Sequence, residues 1–159
     1  IEGNPGRRIF FHLTVPKGKF WAKYVEDCKR VGVLDNIVNH GYCTQERLAT
    51  LYLESDIFFF PSLLETFSAS ILEAIYFRLP IVASDLNFNR DLAGNAVIYF
   101  EPNSSESAFK ALNNLINDDS LYSMQLERME GFMLKRKEFF DYERNFHSTL
   151  AFFKEVVNK

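Results

Sequence analysis

The chain has 159 residues, of which 47% are hydrophobic and 25% are charged, so about one globular domain is expected. Its formal net charge of −3 gives it no overall attraction for a polyanion, and we therefore expect no nucleic-acid partner. Cys28 and Cys43 lack metal-ligand spacing and no apolar run could span a membrane, which indicates a cytoplasmic protein with reduced thiols. Peripheral attachment to the inner membrane face stays open.

Apolar runs and helical patterns alternate along the first two thirds of the chain. After a Gly- and Pro-rich loop at 1–8, strands are predicted at 9–14, 36–40, 57–60, 81–84 and 96–100. Helices are predicted between the strands, the first ended by Gly32, the second begun by the N-cap Thr44, and the third ended by Pro80. This alternation predicts a parallel sheet with helices on its faces.

The rest of the chain is predicted to be mainly helical. Polar residues at 85–93 suggest one short helical turn before the strand at 96–100. Ser104 or Ser105 begins one helix and Asp118 begins another, which ends in the basic run 135–137. The side chains expected to face inward are Phe109, Leu112, Leu115 and Ile116 on the first helix and Leu121, Met124, Met129 and Met133 on the second. An aromatic stripe predicts a last helix over 139–157.

The stretch from Ile57 to Ser84 carries the chemistry. Its strand, expected to be buried on both faces, ends at Pro61, and the next helix begins between Thr66 and Ser70. A helix N-terminus at the carboxyl edge of a parallel sheet is an anion site, and phosphate is its usual occupant. Glu65 before the helix and Glu73 within it bracket that subsite, which suits a ligand with hydroxyl groups at both ends and phosphate between. A nucleotide-sugar has that shape.

The ordered string in this stretch resembles a known enzyme family. It reads Pro61-Ser62, Glu65, Phe67, Leu72-Glu73-Ala74 and Leu79-Pro80-Ile81-Val82-Ala83-Ser84-Asp85. This resembles the C-terminal, donor-binding domain of the retaining glycosyltransferases of group 1 with the GT-B fold, over roughly residues 36 to 117. The resemblance implies a Rossmann-like parallel sheet flanked by helices, with C-terminal helices. It also implies that residues 1–159 form a single domain, a fragment lacking its first βα unit and the N-terminal acceptor domain.

The resemblance implies a role for each residue at a matching position. Glu73 accepts the ribose hydroxyl groups, Glu65 contacts the transferred sugar as the catalytic carboxylate, and Tyr42 lies near the nucleobase. The cations that neutralise the diphosphate in the family have no match here, so Lys17 and Arg90 are the candidates. The donor-binding segment comprises Ser62, Thr66, Phe67, Ser68 and Ala69. The donor is a UDP-, GDP- or ADP-sugar, and no metal or other cofactor is required.

Three positions depart from the family pattern. Thr66 and Ser68 replace the two motif glycines, and Arg78 replaces the glycine usual before Leu-Pro. Two interpretations follow. The first is a donor domain that transfers a hexose to a hydroxyl group of a glycan or lipid-linked saccharide, inactive without its acceptor domain. The alternative is a degenerate, non-catalytic Rossmann-like module kept for binding or assembly.

Overall fold

The computed structural model describes residues 8–137. These divide into two compact units at the boundary between Leu51 and Tyr52. The helix predicted at 139–157 and nearly all of the loop predicted at 1–8 lie outside the described residues. Within residues 8–137, no helix is both long enough and apolar enough to cross a membrane.

The first unit contains a parallel strand pair and its connecting helix. β1 (Phe11–Leu13) leads to α1 (Lys19–Arg30), a 3₁₀ turn (Leu34–Asn36) and β2 (Ile37–Asn39), and α2 (Gln45–Glu54) follows. β1 pairs parallel to β2, with Phe11 opposite Ile37 and Leu13 opposite Asn39. The predicted strands and helices are thus confirmed, although each strand is shorter than its apolar run.

The predicted helix boundaries of this unit are confirmed by hydrogen bonds. At the end of α1, Gly32 adopts a φ of 72°. Its N–H donates to Lys29 O, while Val33 N donates to Cys28 O. These two bonds form a Schellman motif, which glycine favours because it has no Cβ. At the start of α2, Thr44 Oγ1 accepts from Arg47 N at 3.3 Å, as an N-cap does.

Over residues 52–137, the second unit alternates three strands with helices and continues into two longer helices. Its elements are β3 (Phe58–Phe60), α3 (Ala69–Tyr76), β4 (Ile81–Ser84), α4 (Asn87–Ala93), β5 (Ile98–Phe100), α5 (Ser105–Asn117) and α6 (Asp119–Lys135). The strands are parallel in the order β3-β4-β5, with Phe59 opposite Val82 and Ala83 opposite Tyr99. The predicted parallel α/β class is therefore confirmed.

The core of the second unit lies around its central strand. All four residues of β4 are fully buried, whereas β3, predicted to be buried on both faces, is only half-buried. This prediction was wrong because β3 is an edge strand of this sheet, whereas β4 is its central strand and has both α3 and α5 packed against it. Val82 packs with Phe100, Ala108 and Leu115.

Three details of the helical part differ from the sequence prediction. The segment predicted as one turn forms the seven-residue α4, about two turns. Phe109 and Met124 were expected to face inward but are exposed. Leu115 and Met129 are buried as predicted, and Ala108 on α5 and Gln125 on α6 are buried beside them. Of these two helices, α5 packs against β4 and β5, and α6 packs against α5 and α3.

Candidate functional site

The loop between β3 and α3 holds the first of the two predicted carboxylates. Pro61 follows β3 directly, and the Ser62 hydroxyl donates to Glu65 Oε1 at 2.9 Å. Glu65 is half-buried, so it is not a fully solvated loop acid. The structure therefore brings together Ser62 and Glu65, which the sequence predicted to be in one site.

A second contact fixes this loop to the end of the central strand. The Ser84 hydroxyl donates to the Ser62 carbonyl, and Ser84 O accepts from Asn89 Nδ2 at 2.9 Å. Ser84 and Asn89 are both fully buried. Because buried hydrogen bonds are seldom broken by water, they tie the loop that carries Glu65 to the carboxyl end of β4.

The N-terminus of α3 is the candidate anion subsite. Ser68 is the N-cap residue, yet its side chain makes no capping hydrogen bond. It is only 4% exposed, and within residues 8–137 its hydroxyl oxygen has no hydrogen-bond partner. Ala69 N donates back to Phe67 O, and Ile71 N donates to Ser68 O. A buried hydroxyl group without a partner at the positive end of a helix is suited to an anionic or hydroxyl-bearing ligand.

The second carboxylate lies one turn into the same helix. Glu73 is half-buried, and its Oε2 accepts a hydrogen bond of 2.9 Å from the Tyr52 hydroxyl. Burial, followed by the nearby Glu73 charge, raises the pKa of Tyr52 above its usual value, so the hydroxyl group stays protonated and donates. Each of the two predicted carboxylates thus has a hydroxyl donor, which orients it.

The replaced family glycines differ in their backbone conformations. Among the described non-glycine residues, only Arg78 and Asn103 have a positive φ. Thr66 and Ser68 therefore occupy conformations open to any residue, and the loop does not need glycine at those positions. Thr66 and Phe67 are exposed beside the buried Ser68.

Arg78 is the one replaced glycine position that takes a left-handed conformation, with a φ of 55°. Its N–H donates to Ile75 O at 3.0 Å, and Leu79 N donates to Ala74 O at 2.9 Å. These bonds repeat the Schellman motif seen at Gly32. The Arg78 guanidinium also forms an ion pair of 3.2 Å with Glu130 on α6. The left-handed backbone is thus retained without glycine.

Arg90, one of the two candidate phosphate cations, is held by a neighbouring carboxylate. Its guanidinium donates two hydrogen bonds to Asp85, one of them at 2.6 Å, and lies 4.6 Å from the centre of the Tyr99 ring. The hydrogen bonds from Arg90 keep the pKa of Asp85 below its ordinary value. In this structure Asp85 balances the positive charge of the Arg90 guanidinium. A contact between Arg90 and phosphate therefore stays a prediction.

The remaining predicted site residues belong to the first unit. Tyr42, which follows Gly41 in the loop after β2, is 89% exposed. Lys17 is exposed just before α1. Their contacts with a donor stay predictions. As to metals, residues 8–137 contain no group of three or more His, Cys, Asp or Glu side chains placed to hold an ion.

Sequence reasoning missed three residues that support the site, namely Tyr52, Ser84 and Asn89. The helical spacing of Leu48, Leu51 and Tyr52 predicts that Tyr52 lies on the buried face of its helix, and a buried tyrosine hydroxyl implies a polar partner. That signal was available, although it does not identify Glu73. The contacts of Ser84 and Asn89 depend on how β4 and α4 pack, and no local pattern predicts them.

Comparison with known proteins gives a consistent result. Residues 17–130 match the family model of glycosyl transferases group 1. Over 80 residues the chain is 31% identical to an O-antigen chain mannosyltransferase B of Escherichia coli, covering 50% of this chain and 21% of the relative.

Solved structures share the fold. The crystal structure of Anabaena Alr3699/HepE in complex with UDP matches 90% of this chain and 41% of its own, with a TM-score of 0.73 and 18% identity. The C-terminal domain of a glycosyl transferase group 1 family protein (LpcC) from Francisella tularensis matches 74% of this chain and 62% of its own, with a TM-score of 0.65 and 20% identity. The chain thus has the predicted fold, that of one part of these GT-B proteins, and spans less than two thirds of their length.

Proposed function

This chain belongs to the glycosyl transferases group 1 family, and we propose that it is the nucleotide-sugar-binding domain of a retaining glycosyltransferase. The observation that carries the proposal is the N-terminus of α3, where the Ser68 hydroxyl is buried without a partner among the described residues. Glu65 precedes that helix end and Glu73 follows it by one turn, and each accepts a hydrogen bond from a hydroxyl group.

The proposed ligand follows the order of these groups. The diphosphate binds at the first turn of α3, at Thr66, Phe67, Ser68 and Ala69, where backbone N–H groups and the helix dipole favour negative charge. Glu73 accepts the ribose hydroxyl groups. Glu65, oriented by Ser62, faces the transferred sugar and stabilises the positive charge that develops at its anomeric carbon. Tyr42 contacts the nucleobase.

Binding of phosphate requires at least one of the proposed cations to change its contacts. A diphosphate that leaves with negative charge is stabilised by cations, and Lys17 and Arg90 are the proposed sources. Arg90 would exchange its bidentate contact with Asp85 for the phosphate. No metal ion is required in this proposal, because the helix end and these two cations share the charge.

The whole protein needs more than this chain. The chain spans 41% of the HepE structure and 21% of the mannosyltransferase, so we propose that the acceptor-binding domain lies in the remainder. The full enzyme would transfer a hexose from a UDP-, GDP- or ADP-sugar to a hydroxyl group of a growing glycan or lipid-linked saccharide. The proposed location of the full enzyme is the cytoplasm. A lipid-linked acceptor would bring the enzyme to the inner face of the membrane. The UDP bound in HepE supports UDP as the first nucleotide to test.

Thermal unfolding with and without UDP, GDP and ADP tests the donor site. A ligand at 100 times its Kd stabilises the folded state by about 2.7 kcal/mol, so one nucleotide should raise the Tm by several degrees. Glu73→Ala should remove most of that rise, whereas Glu127→Ala, an exposed carboxylate on α6, should retain it. No rise with any of the three nucleotides would rule out the donor site.

Transfer assays separate the catalytic interpretation from the degenerate module. The isolated chain should bind nucleotide without transferring sugar, and the full-length protein should transfer it. Nucleotide binding with no turnover in the full-length protein would instead favour the non-catalytic module. Turnover by the isolated chain would show that the acceptor domain is dispensable.

A further inference from the structure

Tyr52 lies against the proposed ribose carboxylate from a different part of the chain. It is the first residue of the second unit, near the end of α2, and is 7% exposed. Its hydroxyl group donates to Glu73 Oε2 at 2.9 Å, across 21 positions of sequence. Since nothing in the helix pattern of α3 requires this contact, its geometry has to come from the packing of the ring.

The ring of Tyr52 is fixed by aromatic contacts from two elements. It stacks on Phe77, which follows the end of α3, with ring centres 5.2 Å apart and planes 9° apart. It also packs at a tilt against Phe58 on β3, with centres 5.7 Å apart. A ring held from a strand and a helix holds its hydroxyl group at one place.

That fixed donor restricts the Glu73 carboxylate. A glutamate side chain has three rotatable bonds and, if unbonded, would distribute its carboxylate over several rotamers. The carboxylate can accept about four hydrogen bonds, and Tyr52 takes one of them on Oε2. The other acceptor positions stay available for a diol. Because the Tyr52 pKa is raised, chiefly by burial, this donor is present throughout the physiological pH range.

We propose that Tyr52 is a positioning residue that orients Glu73 toward the ribose diol and so sets the preference for ribonucleotides over 2′-deoxyribonucleotides. This inference rests on the proposed function. Tyr52 does not touch the nucleotide in this account. It acts by reducing the number of carboxylate orientations that compete with the one that binds the diol.

The test compares each ribonucleotide with its 2′-deoxy counterpart on three proteins. UDP, GDP and ADP and their 2′-deoxy forms are titrated with the wild-type chain, Tyr52→Phe and Tyr122→Phe. Tyr52→Phe keeps the ring and its contacts with Phe77 and Phe58. Tyr122→Phe is the matched control, because it removes a hydroxyl group on α6 that donates to Asp56 O at 3.4 Å instead of to a carboxylate.

The readout is the ratio of the Kd of the deoxynucleotide to the Kd of the ribonucleotide. It should exceed one in the wild type, fall by about three- to tenfold in Tyr52→Phe, and stay unchanged in Tyr122→Phe. A purely structural role would weaken both ligands equally and leave the ratio unchanged, and that result would overturn the inference while leaving the proposed function intact. If the wild type binds none of the nucleotides, the proposed function itself fails.

Discussion

Two helices of the second unit begin with the same residue and use it differently. At α5 the N-cap Ser104 accepts a hydrogen bond of 3.1 Å from Ser107 N, which satisfies part of the first turn. At α3 the N-cap Ser68 makes no such bond, although it is more deeply buried. The hydroxyl group of Ser68 has no partner within residues 8–137.

We infer that this difference separates a structural helix end from one that binds a ligand. Serine at an N-cap normally stabilises its own helix, and buried polar groups normally have partners. A helix end that meets neither expectation costs stability unless a ligand supplies the missing contacts. We infer that α5 begins with a stabilising cap, whereas α3 begins with a site.

The largest effect on nucleotide affinity is expected from a negative charge placed beside the N-terminus of α3. Phe67 is 59% exposed just before the N-cap, so Phe67→Asp and Phe67→Asn differ there only in charge. Repulsion of a diphosphate at about 5 Å should make Phe67→Asp bind nucleotide at least about tenfold more weakly than Phe67→Asn. Calorimetric titration with the stabilising nucleotide measures this ratio.

The matched control for that charge is at the other helix. Asn103 occupies the equivalent position before Ser104, and Asn103→Asp adds one negative charge at the start of α5. It should leave nucleotide affinity unchanged. Equal weakening by Phe67→Asp and Asn103→Asp would mean that overall charge, and not the α3 site, controls binding.

Removing the cap of α5 should have the next largest effect. Ser104→Ala loses the bond to Ser107 N, and N-cap replacements of this kind cost about 1 kcal/mol of unfolding free energy. The Tm should fall by about 3 °C, while nucleotide affinity should not change. Thermal unfolding followed by circular dichroism measures the first quantity. An unchanged Tm would indicate that Ser104 does not stabilise α5.

The same substitution at α3 should have the smallest effect on stability. Ser68→Ala removes a hydroxyl group that has no partner, so the unfolding free energy should change by less than about 0.5 kcal/mol. Nucleotide binding should instead weaken by about two- to tenfold, as expected for one lost hydrogen bond. A stability loss as large as that of Ser104→Ala, with unchanged binding, would make the two helix ends equivalent.

The sequence predicted those parts of the site that depend on nearby residues. Ser62 and Glu65 are three positions apart on one loop, which is bounded by Pro61 after the strand and by the helix start predicted between Thr66 and Ser70. The partner of Glu73 was not predictable in this way, because Tyr52 comes from another helix and meets Glu73 only through ring packing. The same limit applies to the burial of β3 and β4, since strand order decides it.

The replaced glycines show a second limit of sequence reasoning. Thr66, Ser68 and Arg78 each replace a family glycine, and the residue pattern treats the three replacements alike. The backbone shows that only position 78 requires a left-handed conformation. Arg78, which adopts it, follows the C-terminus of α3, whereas Ser68 is at the N-terminus of that helix. A residue pattern gives the identity of each side chain but not its φ, so it could not distinguish the three positions.

The most direct test of the central claim is to locate the bound nucleotide by NMR. The ¹⁵N-labelled chain is titrated with the nucleoside diphosphate that raises its Tm, and backbone amide shifts are followed. The account predicts the largest changes at residues 66–70 and at Glu73, with no change at residues 104–107. Binding that shifts other amides and leaves residues 66–70 unchanged would contradict it.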